Sequence, residues 1–171
     1  MATTQPDHSA RTRHAIPAER PLKVLAVIDG SERTGRIIAY AIDLAQRRTG
    51  VEVVLQGIVR EAPDGRLRGY GSFKREEIHA RLRDLVGQRS VAAAARRLDQ
   101  ERIAHKDRVD IGDPVAVILR TVAEEGADMV LIGDAPAGAM QRWLAKAIGL
   151  SVATVASQVA LLAPVPVVVV K

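Results

Sequence analysis

The chain contains no cysteine, which excludes disulfides, thiolate metal sites and thiol catalysis. Aromatic side chains are almost as scarce: Tyr40, Tyr70, Phe73 and Trp143 are the only four in 171 residues. The core must therefore be built from Val, Ile, Leu and Ala. Few rings remain to stack on exposed bases, which argues against a single-stranded nucleic-acid binder. The four histidines, His8, His14, His79 and His105, are scattered, and none stands at metal-ligand spacing. No nucleophile–base pair, G-x-S-x-G elbow or Walker loop is present, so the chain is not read as an enzyme.

Nor is there a charge excess spread along the whole chain. The net charge of +5 sits in residues 60–108, where thirteen Lys and Arg face eight Asp and Glu, and the remaining stretches cancel. A basic helix over Lys74–Arg97 is one way to bind nucleic acid. Its charges alternate in sign along a helical pattern, however, as on a solvated face, and a nucleic-acid partner is not expected.

Residues 1–20 are polar, carry Ser, Thr, Arg and Pro, and lack the apolar run of a signal peptide. They read as a disordered tail preceding one domain over 21–171, and a cytoplasmic location is expected. Ala147–Val170 is uncharged and long enough to cross a bilayer. Ser151, Thr154, Ser157 and Gln158 nevertheless recur on one side of it, and Pro164 and Pro166 break it before Val167–Val170. That pattern reads as a buried helix and then a strand, with no membrane span.

What is present is an alternation of strands and helices. Lys23–Ile28 is an apolar strand ending on Asp29-Gly30-Ser31, where Ser31 is placed to cap the following helix. That helix carries Ile37, Ile38, Ala41, Leu44 and Ala45 on one face and ends near Thr49-Gly50. Val51–Val59 is a second strand and Glu61–Gly71 a loop. A long helix follows from about Phe73 to Leu98, its first apolar stripe being Ile78, Leu82, Leu85 and Val86. Ile103–Ile111 is weakly hydrophobic, which suits a sheet edge. Asp113 as cap and Pro114 at the first helical position open a helix over Val115–Glu125 that closes at Gly126. Ala127–Gly133 is strand four, Ala139–Leu162 reads as mostly helix, and Val165–Val170 is strand five. Such alternation implies a mostly parallel sheet with helices on both faces. The turns after strands one and four then share an edge, where α/β proteins hold ligands.

This order and these segments resemble the universal stress protein family over about Pro21–Lys171. The residues that carry the likeness are VLAVIDGSE (Val24–Glu32), VEVVLQGIV (Val51–Val59), GDPVAVIL (Gly112–Leu119), ADMVLIGD (Ala127–Asp134) and APVPVVVVK (Ala163–Lys171). The resemblance implies a Rossmann-like sheet of the adenine nucleotide alpha hydrolase type, with five parallel strands ordered 3-2-1-4-5. It also implies a homodimer, here through the C-terminal strand 165–171. In nucleotide-binding members the Asp ending strand one holds ribose or adenine, which maps to Asp29 beside Val27 and Ile28. A strand-two contact maps to Ile58.

Those members carry Gly, two residues, Gly, nine residues, then Gly-Ser or Gly-Thr after strand four. Glycines let the backbone approach phosphates, and a helix start presents free N–H groups to them. Gly133 matches the first glycine, but Pro136 replaces the second. Counting back from Ala163–Pro166 places the Gly-Ser pair on Ala153-Thr154, with Val155 beside it, twenty positions from Gly133 where the motif spans thirteen. Seven extra residues are about two helical turns, and an apolar stripe from Trp143 to Leu162 runs through them in phase. A helix starting near Gly138 would have its N-terminus about 10 Å from the usual phosphate position. Asp134 adds a carboxylate there. A second alignment takes Gly149-Leu150-Ser151 as the altered pair and Gly138 as the second glycine, with Arg142 and Lys146 neutralising phosphate.

Plain structural roles stand beside these. Asp29 can serve its own turn, Ser31 can be only a cap, and Trp143 can be packing. Lys171 after strand five resembles a receiver domain, but Asp29 alone stands after strand one, without the required acidic cluster. The expectation is a dimeric stress-response regulator with a degenerate nucleotide site, acting through protein contacts with no cofactor. The alternative is an ATP- or AMP-binding sensor that keeps the crevice.

Overall fold

The computed structural model describes residues 20–60, 75–134 and 154–171. The expected tail, the Glu61–Gly71 loop, Pro136, Gly138, Arg142, Trp143, Lys146, Gly149–Ser151 and Ala153 lie outside the described residues.

Strands β1 (Leu22–Ile28), β2 (Val51–Val59), β3 (Ala104–Ile111), β4 (Met129–Gly133) and β5 (Val167–Val170) form one sheet. Its order is β3-β2-β1-β4-β5, and every pairing is parallel. The helices are α1 (Glu32–Arg47), α2 (Arg75–Val86), α3 (Ala92–Gln100), α4 (Pro114–Glu125) and α5 (Val155–Leu162). The implied strand order and five-strand architecture are those observed, with weakly hydrophobic β3 at one edge and β5 at the other.

Successive residues of a strand point to opposite faces, so one run of aliphatics serves two cores. Val24, Ala26 and Ile28 meet Ile37, Ile38 and Ala41 of α1 and Ala94, Ala95 and Leu98 of α3 on one face. Leu25, Val54, Val130 and Ile132 meet Ile118 and Val122 of α4 and Ala156 and Val159 of α5 on the other. Each large aliphatic side chain so buried contributes about 1.5–3 kcal/mol. Two buried polar residues, Gln56 and Thr121, enter this interior among the described residues. Gln56 of β2 accepts from Thr121 Oγ1 (3.0 Å), and its amide donates to Gly57 O (2.8 Å) and Asp110 (3.2 Å), tying β2 to α4 and β3.

The α4 expectation holds at both ends. Asp113 accepts from Ala116 N, Pro114 opens the helix, and Gly126 closes it at φ 61°. β4 begins at Met129 rather than Ala127, because Ala127 N–H still bonds Val122 O and Asp128 N–H bonds Lys23 O. The long helix is interrupted: a π turn over Gly87–Val91 separates α2 from α3. Leu85, expected in the apolar stripe, is 43% exposed. Of the expected Ala139–Leu162 helix, only the part from Thr154 onward lies within the described residues. Thr154 is extended (φ −78°, ψ 161°) and its hydroxyl accepts from Ser157 N, so α5 starts at Val155. A side-chain cap at Thr154 there replaces the helical bond that the apolar stripe suggested.

Candidate functional site

β1 and β4 are adjacent and parallel, with Ala26 opposite Leu131, so their carboxyl ends, Ile28 and Gly133, lie at the same sheet edge. After β1 the chain enters α1 against the first core; α5 packs against the second. The helices beside these strand ends thus lie on opposite faces of the sheet, the topology at which open α/β sheets hold ligands. Because α5 returns toward the start of β5, its N-terminus at Thr154 belongs to this same edge.

Asp29 organises the β1 side. Its Oδ1 accepts from Ser31 N–H (3.0 Å), Ser31 Oγ (2.5 Å) and Thr34 Oγ1 (3.2 Å), and its Oδ2 accepts from Arg33 Nη2 (3.1 Å). Partial burial alone would raise the Asp29 pKa. The bonds from Ser31, Arg33 and Thr34 outweigh that burial and hold the carboxyl below its ordinary value. The expected Ser31 cap is only half present: Ser31 occupies the N-cap position but its side chain makes no cap bond, having turned back to Asp29. The hydroxyl donates to the carboxylate in a charge-assisted bond, and in that orientation it does not meet a helix N–H. Thr34 supplies the missing reciprocity, accepting from Gly30 N–H at 3.0 Å. Gly30 itself is required: at φ 73° it is left-handed, and a Cβ there would collide with Ser90 Oγ from the π turn.

Arg33 spans from this turn to β4. Its stem lies over Gly133, where a Cβ would sit 3.2 Å from Arg33 Cβ and Cδ. Its Nε is buried without a hydrogen-bond partner. An unmet buried donor costs about 1–3 kcal/mol.

The α5 side supplies donors. The first intrahelical bond runs from Gln158 N–H to Thr154 O, and Thr154 Oγ1 takes Ser157 N–H at 3.1 Å. The N–H groups of Val155 and Ala156 precede that bond and point out of the helix start. The start of α5 therefore falls at Thr154, the position the motif count assigns to the Gly-Ser pair, while the helix start expected near Gly138 lies outside the described residues. Asp134 remains at the end of β4, its N–H bonded to Val170 O.

The described candidate residues fall on two faces of the sheet and at its strand ends. Val27, Ile58 and Val155 pack against the same core, giving the α4–α5 side an apolar wall. Ile28 is buried on the opposite face beneath α1. Asp29, Gly133 and Thr154 stand at the strand-end edge. Among the described residues no cluster of three His, Asp or Glu side chains is arranged to hold a metal ion.

A sequence model of the universal stress protein family matches residues 22–171. The chain belongs to the universal stress protein family. Solved structures of similar fold include a universal stress protein from Archaeoglobus fulgidus, with 20% identity over 89% of this chain and 95% of that one, and a TM-score of 0.60. Another from Archaeoglobus fulgidus, in complex with dAMP, shows 22% identity, 88% and 98% coverage and a TM-score of 0.57. A universal stress protein in complex with cAMP shows 19% identity, 88% and 96% coverage and a TM-score of 0.55. No curated protein sequence matches the chain.

Within this universal stress protein, Arg33 and Ser90 are the site residues that sequence reasoning missed. Arg33 had a local signal, since Asp29 and Arg33 stand four apart at a helix start, a spacing at which opposite charges meet. Ser90 had none: its approach to Gly30 follows from a π turn that no periodicity announces.

Proposed function

We propose that this protein is a stress-response regulator whose crevice holds an adenine nucleotide with one phosphate, the cradle for a triphosphate being degenerate. The observation that carries the reading is one strand-end edge holding both the Asp29 carboxylate and the capped start of α5. A carboxylate there accepts from ribose hydroxyls or the adenine amine, and Val155 and Ala156 N–H groups favour one oxyanion. Val27, Ile58 and Val155 supply the apolar contact for a base. Complexes of similar folds with dAMP and cAMP point to the same ligand class. Asp134 and Asp29 disfavour the larger charge of ATP.

The regulator works by altering protein contacts rather than by chemistry, as a cytoplasmic homodimer paired through residues 165–171. A second reading, in which no nucleotide binds and Asp29 serves only its turn, is favoured by the four hydrogen bonds that Asp29 already accepts. Titration calorimetry with AMP separates the two. The mononucleotide reading predicts saturable one-site binding that weakens about tenfold or more in Asp29→Ala. Absence of binding to the wild-type protein, or equal affinity in the variant, contradicts it.

A further inference from the structure

We propose that Arg33 is the residue that reads the ligand's phosphate, its guanidinium exchanging the Asp29 carboxylate for a phosphate oxyanion. The inference rests on the mononucleotide reading of the crevice and names the group that gives it charge selectivity.

Three features of the pose lead there. Gly133 is the one candidate-site glycine on β4, and Arg33 occupies the space above it: Cβ, Cδ and Nε of Arg33 all lie within 3.4 Å of where a Gly133 Cβ would be. The bare backbone at the first motif position is thus used to carry a cation across the end of β4. Second, an arginine has five donors in a planar fork suited to paired oxygens. The bond from Nη2 to Asp29 Oδ2 meets one of them, while Nε is buried and unmet. A phosphate, with several acceptor oxygens, can take the fork through two parallel bonds, which a carboxylate already held by Ser31 and Thr34 does not do here. Third, Arg33 is already held at this edge as the ion-pair partner of Asp29, with Nη2 3.1 Å from Oδ2.

The division of labour between the two Asp29 oxygens makes the exchange specific. Ser31 N–H, Ser31 Oγ and Thr34 Oγ1 all bond Oδ1, whereas Arg33 bonds Oδ2. Departure of Arg33 leaves the turn held through Oδ1 and frees Oδ2 to accept from a ligand hydroxyl or amine. A ligand that carries both a phosphate and a nucleoside donor completes both halves of the swap. A nucleoside alone must break the ion pair without supplying a replacement anion.

Calorimetric titration of adenosine and AMP against the wild-type protein, Arg33→Gln and Arg33→Lys tests this, with thermal melts verifying that each variant is folded. The wild-type protein is expected to prefer AMP to adenosine by about tenfold or more, the scale of one charge-assisted contact. Arg33→Gln should bring the two ligands within about threefold, with adenosine bound no more weakly than by the wild-type protein, since Oδ2 is released. Arg33→Lys should retain part of the preference. An undiminished preference for AMP in Arg33→Gln overturns the assignment of Arg33 while leaving the mononucleotide reading intact. Failure of the wild-type protein to bind either ligand overturns that reading, and the role of Arg33 with it.

Discussion

At the scale of the residue, the proposed reading places two demands on Asp29 that pull in different directions. As a turn carboxylate it gathers Ser31, Thr34 and Arg33 and fixes the first turn of α1. As a ligand group it needs an oxygen free. Its lowered pKa means that the charged form is bound more strongly in the folded chain than in the unfolded one. The stabilisation it brings is therefore complete above the ordinary carboxyl value of 3.8 and is lost as pH falls through the lowered folded value. Because the side chain is about half exposed, the effect is modest. Urea denaturation across pH should show Asp29→Asn less stable than the wild-type protein near neutrality, with the gap closing at acid pH. A gap that does not change with pH would show that the carboxylate charge is not what holds the turn.

At this scale the sequence is most legible where chemistry is local. Asp29, Gly133 and Thr154 are identifiable by position relative to strand ends. Ser31 stands at the expected N-cap position, but the turn of its hydroxyl toward Asp29 is not specified by sequence position. Arg33 was missed because its importance lies in Gly133, one hundred positions away in sequence.

At the scale of the element, α4 and α5 contrast in how plainly they announce themselves. α4 carries an Asp cap, a Pro at its first position and a Gly at its end, so each boundary is written in residues that do little else. α5 lies in an uncharged stretch whose apolar stripe continues on both sides of its start, and its Thr cap reads equally well as part of a polar stripe. Thr154→Ala is expected to cost about 1 kcal/mol by removing the acceptor for Ser157 N–H, and Thr154→Ser to recover most of it. Thermal denaturation measures this; an unchanged melting temperature in Thr154→Ala would mean that the cap does not hold the helix start. The π turn between α2 and α3 is illegible for a different reason. One extra residue per turn leaves the Ala-rich pattern intact while rotating what precedes it, which agrees with the exposure of Leu85.

At the scale of the whole molecule, the alternating strand–helix pattern carried the parallel sheet, and the family resemblance carried its order. Burial on both faces accounts for the apolar segment Val53–Leu55 of β2, which lies fully buried inside the sheet, whereas the equally apolar β5 stands at its edge. Apolar side chains are exposed at and near the β5 edge. Val169 is 37% exposed, and Leu161 of α5 is 83% exposed. A homodimer through residues 165–171 would cover an apolar strand edge. Multi-angle light scattering is expected to give twice the chain mass for the wild-type protein and a shift toward monomer for Val169→Lys. A monomeric wild-type protein at high concentration contradicts the pairing.

The central claim is that one mononucleotide bridges the β1 and α5 sides of the strand-end edge. The most direct measurement is the amide NMR spectrum of the isotope-labelled protein during titration with AMP. The account predicts saturable shifts at Asp29, Gly30, Gly133, Val155 and Ala156, with one dissociation constant for all five. Shifts confined to one side, or none at these residues at saturating AMP, would contradict it.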